Sequence, residues 1–291
     1  MLLGQLLVNG LAVGGVYALI AVGFALIYNT TRMLHIAHGA VYTFGGYAFY
    51  VLVIGLGFYY WLGALLAVAL GATLGVAIEL LVYRPIRRWG GGPNSILIVS
   101  IGTVSILQAI YALVFTTDTM TLRAGALRGF EWGGVSITIL HVVTVIIALV
   151  MFLSLTLFLG RSRIGIALRA LSDNSALAEI QGLDTGRLYA IIFFVGSALA
   201  ATAGVLISLD IGVQPNMGFD AVFIAFVAVI VGGVGYLPGA LFGAFLVGFL
   251  QQFVVWKLDT AWQSGAVFLV LIVFLIFRPN GLFGLPVARR A

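Results

Sequence analysis

Apolar residues run through this chain in long blocks with no charge inside them. The charge-free stretches are 1–31, 33–78, 89–117, 132–160, 188–209, 221–256 and 260–277. A charge at the centre of a membrane helix costs roughly 2.5–3.5 kcal/mol on insertion scales, so spanning helices leave gaps of this kind. About 20 apolar residues cross the hydrocarbon layer. Two of the blocks are long enough for two helices each. Gly55 and Gly57 offer a break in the first, and Gly235-Tyr236-Leu237-Pro238 in the second. The pattern predicts helical segments over 5–28, 36–54, 60–83, 95–116, 137–159, 188–208, 220–235, 238–256 and 261–277. Segments 36–54 and 220–235 are short and carry glycine, so either is a candidate for a broken or re-entrant helix. The expected fold is all-α: one polytopic membrane domain over residues 1–291, with eight or nine transmembrane helices.

Composition agrees with lipid as the main solvent. The 291 residues are 63% apolar and 8% charged, against about 45–50% and about 25% in soluble domains. The first apolar run lacks a basic lead-in and is too long for a signal-peptide core, so it reads as a retained membrane segment. The net charge of +5 orients the chain and does not point to nucleic acid. With residues 161–187 placed in the cytoplasm, eleven arginines fall inside: Arg32, Arg84, Arg87, Arg88, Arg161, Arg163, Arg169, Arg187, Arg278, Arg289 and Arg290. Only Arg123, Arg128 and Lys257 fall outside. The expectation is an outer N-terminus and a cytoplasmic C-terminus.

Several chemistries are missing. There is no cysteine, and the single lysine, Lys257, excludes a phosphate-binding G-x-x-x-x-G-K-[ST] loop. No paired acid/base constellation and no cluster at metal-ligand spacing is present, so neither catalysis nor a cofactor is expected in this chain. His35 and His38, three apart, fit a polar hinge or path, plain helix-end solvation or, least well, a metal site. No carboxylate sits at a segment centre. Glu79 is near the inner end of its helix, within reach of Arg84, and Asp210 and Asp220 lie at the outer boundary. Ion-coupled carriers usually keep such groups near the midplane, so this chain reads as a gate whose energy comes from elsewhere. Small-xxx-small pairs such as Gly10/Gly14, Gly71/Gly75 and Gly239/Gly243 favour close helix packing. Stretches 38–46 and 235–243 look faintly alike, as an internal repeat would.

Seven of the 23 charged side chains lie in residues 161–187. Residues 164–171 continue as a helix from the preceding span, and Ser172-Asp173-Asn174 are residue types that end one helix and cap another. Residues 175–181 make about two turns, Gly182 suits a left-handed stop, and Asp184 or Thr185 caps the next span. Leu177 and Ile180, three apart, form a small apolar face with Asp173 and Glu179 beside it. Such a short helix suits a groove in a cytoplasmic partner, the other reading being an ordinary interfacial loop.

Residues 166–206 (IALRALSDNSALAEIQGLDTGRLYAIIFFVGSALAATAGVL) resemble the coupling loop and following helix of ABC importer permeases for branched-chain amino acids. So do 34–39 (LHIAHG), 79–88 (ELLVYRPIRR), 101–108 (IGTVSILQ), 215–218 (PNMG), 225–240 (AFVAVIVGGVGYLPGA) and 278–284 (RPNGLFG). The resemblance implies a multi-pass permease subunit of the bacterial cytoplasmic membrane. Its partners would be a second, homologous permease, two cytoplasmic ATPase subunits and an external substrate-binding protein. Arg169, Asp173, Glu179 and Gly182 would meet the ATPase, and His38, Tyr42 and Asn216 are candidates for the translocation path. His35, Tyr236 and Gln181 stand where the family more often has Asn, a small residue and an aliphatic one. Those departures keep urea or short amides open as cargo beside leucine, isoleucine and valine. The rival from another class is a stand-alone ion-coupled carrier.

Overall fold

A computed structural model describes residues 2–122, 129–132 and 134–284. Arg123, Arg128, Arg289 and Arg290 lie outside the described residues. The helices are α1 (Leu2–Thr31), α2 (His38–Tyr50), α3 (Tyr60–Ile78), α4 (Arg84–Arg88), α5 (Pro93–Phe115), α6 (Ile139–Arg161), α7 (Arg163–Asp173), α8 (Ser175–Ile180), α9 (Thr185–Asp210), α10 (Met217–Gly232), α11 (Leu237–Lys257) and α12 (Gln263–Phe277). Wide π-helical turns extend α2 over Val51–Gly55 and join α3 to α4 over Glu79–Tyr83. The protein is an all-α polytopic membrane protein.

Among the described residues, seven helical stretches are long and apolar enough to cross a membrane: Leu2–Thr31, Tyr60–Arg88, Pro93–Phe115, Ile139–Arg161, Thr185–Asp210, Leu237–Lys257 and Thr260–Phe277. The other two expected segments are the short ones. α10, at 16 residues, reaches about 24 Å, less than the hydrocarbon thickness of about 30 Å. One departure from a purely helical chain is a hairpin between α5 and α6, Gly129–Trp132 paired antiparallel with Val135–Thr138. Gln5 clips it to the start of α1, donating to the Ser136 carbonyl at 3.0 Å and accepting from the Ser136 N–H at 2.9 Å.

The interior is built by reciprocal packing of two helix sets that run in opposite senses. α1 packs on α11 and α9 packs on α3; α2 lies against α9 and α10 against α1; α1 crosses α9 and α2 crosses α10. α1–α2–α3 and α9–α10–α11 are thus inverted copies of one arrangement. The stretches 38–46 and 235–243 are not the matching pieces. The first opens α2 and the second opens α11, whereas the spatial counterpart of α2 is α10. Their likeness is that of two glycine-bearing helix starts.

Both short helices begin inside the bundle. His38 stands beside Gly23 and Phe24, about 12 Å back from the end of α1 at 1.5 Å per residue. The chain therefore leaves α1 at Thr31 and doubles back before α2 starts. After α9 it doubles back again, bringing Val213 against Gly46 and Gly218 against Gly39. A Cβ on Gly39 would collide with the Gly218 carbonyl oxygen, and one on Gly218 with the Gly39 carbonyl oxygen. The α1–α9 crossing is almost as close: a Cβ on Gly23 would sit 2.6 Å from the Gly196 carbonyl oxygen. Without a hydrophobic drive separating protein from lipid, such backbone approach is how these helices gain packing energy.

Candidate functional site

The basic residues gather at one end of the molecule. Arg84 approaches Asp184 and Gly186 at the start of α9, and the Arg87 guanidinium lies 4.7 Å from the Tyr189 ring centroid. Ser172 donates to the Asn29 carbonyl near the end of α1 at 2.8 Å. The tail after Arg278 folds onto the end of α10, with Leu282 N–H donating to the Val231 carbonyl at 2.8 Å. Nine of the ten described basic side chains share this end, and Lys257 alone is at the other.

The segment 161–187 forms at this end from local signals. The Ser162 side chain accepts from Gly165 N–H at 2.8 Å and caps α7. The buried face of α7, Gly165, Leu168 and Leu171, lies against α1, α6 and α9. Asn174 caps α8, accepting from Leu177 N–H at 3.0 Å, and Asp184 caps α9, accepting from Arg187 N–H at 3.0 Å. Gly182 takes φ +84, and its N–H donates to the Glu179 carbonyl at 2.9 Å. That left-handed stop favours glycine, because a Cβ there is strained. Only Ala178 of α8 is buried. Leu177 is 53% exposed and Ile180 81%, so the apolar face points away from the bundle.

The four residues expected to meet an ATPase are all exposed, and they fall in two places. Arg169 and Asp173, one turn apart on α7, line a groove of about 510 Å³ with Asn29, Thr30 and the Tyr236–Pro238 turn. Glu179 and Gly182 belong to α8 and its stop.

The three candidate path residues also divide. His38 and Tyr42 are four apart on α2 and buried, His38 against Gly23 and Phe24 of α1 and the Tyr42 carbonyl against Gly204 of α9. Neither ring nitrogen of His38 has a partner among the described residues. Asn216, at the start of α10, is exposed and lines a separate cavity of about 210 Å³ with Gln108 and Gln214.

The residue patterns alone do not reveal the polar stitching of the interior. Tyr83 donates to Ser100 Oγ at 2.9 Å, Ser100 accepts from Ala37 N–H at 2.9 Å, and His35 Nδ1 lies 2.8 Å from the Tyr83 hydroxyl. With the Tyr83 proton given to Ser100, His35 donates through Nδ1. The chain of bonds ties the returning segment 33–37 to α5 and to the turn before α4. Buried Glu79 pairs with Arg87, not with Arg84. The π-turn over Glu79–Tyr83 widens the helix there, and Arg87, eight residues on, reaches back along it. Tyr17 donates to Gln251 Oε1 at 2.6 Å and joins α1 to α11. The i to i+8 spacing of Glu79 and Arg87 is a weak sequence signal, and the other pairings have none.

A model of the family described as branched-chain amino acid transport system / permease component matches residues 6–276. The chain is 33% identical to the high-affinity branched-chain amino acid transport system permease protein BraD of Pseudomonas aeruginosa, over 97% of this chain and 96% of that protein. It is likewise 33% identical to the LivH permease of the same description from Escherichia coli, over 97% and 96%. A probable branched-chain amino acid permease of Methanocaldococcus jannaschii is 26% identical over 91% and 88%. Among solved structures, PsaBC from Streptococcus pneumoniae in complex with Fab shares the fold at a TM-score of 0.50 and 14% identity, covering 96% of this chain and 93% of that one. With a membrane bundle of inverted halves, a basic end that presents a short exposed helix, and these relatives along nearly its whole length, the chain belongs to the family of branched-chain amino acid transport permease components.

Proposed function

We propose that this chain is one membrane-spanning subunit of an ATP-driven importer for leucine, isoleucine, valine or a similar small apolar amino acid. It works beside a second, homologous permease in the bacterial cytoplasmic membrane, with its basic end in the cytoplasm. Two separate ATPase subunits hydrolyse ATP and an external binding protein delivers the amino acid. This chain carries neither catalytic residues nor a cofactor.

The observation that carries the reading is α8. It is a capped, two-turn helix held by one buried alanine, with Leu177 and Ile180 turned outward. A helix so presented fits a groove in a partner. α7 packs on α1, α6 and α9, so a push on α8 has a rigid route into the bundle. Closure of an ATPase pair around α8 would move α7 with it and tilt the inverted halves past one another at their glycine crossings.

The test is reconstitution with matched ATPase subunits and the second permease. Leucine-loaded binding protein should raise ATP hydrolysis several-fold over the unloaded form. Equal rates with loaded and unloaded protein would reject the proposal.

A further inference from the structure

The groove of about 510 Å³ at the basic end is floored by the last turns of α1 and walled by α6, α7 and the turn that opens α11. It has two levels. Leu26 of α1 and Thr156 of α6 each lie five residues before their helix ends, Thr31 and Arg161, which is about 8 Å inside at about 1.5 Å per residue. Both helices are long and apolar enough to cross a membrane, so this deeper level stands beside hydrocarbon. Leu159 adds to its apolar wall, and the Thr156 hydroxyl is spent on the Phe152 carbonyl of its own helix at 2.9 Å. Thr156 and Gly160 are exposed on a helix that is little buried, so the groove opens sideways to lipid.

The upper level is charged. Arg169 and Asp173 stand one turn apart on α7, and neither forms an ion pair among the described residues. An arginine on the N-terminal side of its acid is the weaker order for a pair along one helix, which leaves both groups available to a ligand. Asn29 is at the same level, since Ser172 donates to its carbonyl, and its Oδ1 is buried without a partner among the described residues. Ile166, one turn before Arg169 on the same face, is exposed, so this face of α7 runs from lipid to water.

A guanidinium takes phosphate oxygens in a fork. The Asp173 carboxylate and Asn29 Oδ1 are acceptors, and together they suit an ammonium with N–H donors to give. Side chains one turn apart have Cβ atoms about 5–6 Å from each other, a span that a two-carbon link between phosphate and ammonium covers. A choline headgroup has no N–H and needs a cage of aromatic rings, whereas Tyr236 is the only ring among the lining residues. A glycerol headgroup leaves Asp173 without a cation. A protein segment arriving from water has no use for an apolar recess that opens to lipid, whereas basic pockets between membrane helices take lipid headgroups.

We infer that this groove holds one phosphatidylethanolamine molecule, with its phosphate on Arg169, its ammonium on Asp173 and Asn29 Oδ1, and the start of an acyl chain on Leu26, Thr156 and Leu159. The inference goes beyond the importer reading, which rests on α8. Contact with the ATPase then falls to α8 and not to Arg169 or Asp173.

The test is native mass spectrometry of the intact complex, stripped of lipid in detergent and then given phosphatidylethanolamine, phosphatidylcholine or phosphatidylglycerol with identical acyl chains. At one site for each copy of this chain, phosphatidylethanolamine should be held about tenfold more tightly than either other lipid. Asp173→Asn should erase that preference and leave phosphatidylcholine retention unchanged. Arg169→Gln should weaken both lipids, and so should Thr156→Trp, which fills the deeper level. Asp118→Asn, exposed beyond the opposite end of α5, should keep the preference. If the Asp173→Asn complex fails to assemble, Arg169→Gln and Thr156→Trp carry the test. Equal retention of the three lipids by the unsubstituted complex would overturn the site, as would a preference that survives in every groove variant. Loss of the ATPase from the Asp173→Asn and Arg169→Gln complexes, with the lipid preference intact, would make the groove a protein contact and overturn it too.

Discussion

The interior crossing of α2 with α10 and the exposed pair α7–α8 solve opposite problems. The crossing contains no charge and is fixed by backbone contact, with Gly39 and Gly218 each filling the space where the other's Cβ would stand. The α7–α8 pair holds few buried side chains and is fixed by caps at Ser162, Asn174 and Asp184 and a left-handed stop at Gly182. In lipid, every backbone group has to be satisfied inside the protein and small residues set the packing. In water, helix ends are satisfied one side chain at a time. The first region sets the fold and the second is free to be a contact surface, so substitutions should separate stability from transport.

The largest expected effect is at the crossing. Gly218→Val places a branched side chain on both the Gly39 carbonyl and the Thr43 hydroxyl, and the backbone carbonyl cannot move aside. Such overpacking costs at least about 3 kcal/mol, and monodisperse protein should be lost in detergent gel filtration. Next comes Glu79→Ala. It leaves the Arg87 guanidinium without its carboxylate in a mostly buried place, a loss of about 3 kcal/mol, read as a lower melting temperature and less of the folded form. Arg87 also leans on Tyr189, so the α3–α9 contact should loosen with it.

On the aqueous side the effects shrink. Asn174→Ala removes one cap and should cost about 1 kcal/mol locally, seen as faster hydrogen exchange over 175–180 with an unchanged global melt. Glu179→Arg changes an exposed side chain and should leave the melting temperature where it was. It should nonetheless abolish most leucine uptake and reduce co-purification of the ATPase. Unchanged uptake in Glu179→Arg would remove α8 as the contact.

The sequence made the fold legible wherever a local cause acts. Charge-free blocks located all nine expected segments to within a few residues, because burying charge in lipid is costly at every position along a span. The shortness of 36–54 and 220–235 exposed them as unusual, and both do begin inside the bundle. Asn174, Gly182 and Asp184 were readable because caps and left-handed stops are chosen by one residue type at one place. Other features have no local cause. Glu79 reaches Arg87 only through a π-turn, Tyr17 finds Gln251 across 234 positions, and the pairing of α2 with α10 depends on two glycines 179 residues apart. The faint likeness of 38–46 to 235–243 misled for the same reason: glycine-bearing helix starts look alike whatever they pack against. The expected path residues split because His38 and Tyr42 follow the interior face of α2, while Asn216 sits on the exposed turn just before α10.

The proposed function has this chain move its cargo only when ATPase subunits act on it from the basic end. It is tested most directly by leucine uptake into vesicles holding this chain and its partner permease, with and without the ATPase subunits, under ATP and under an imposed proton or sodium gradient. Uptake is expected only with the ATPases and ATP together. Uptake driven by an ion gradient in vesicles that lack the ATPases would contradict it.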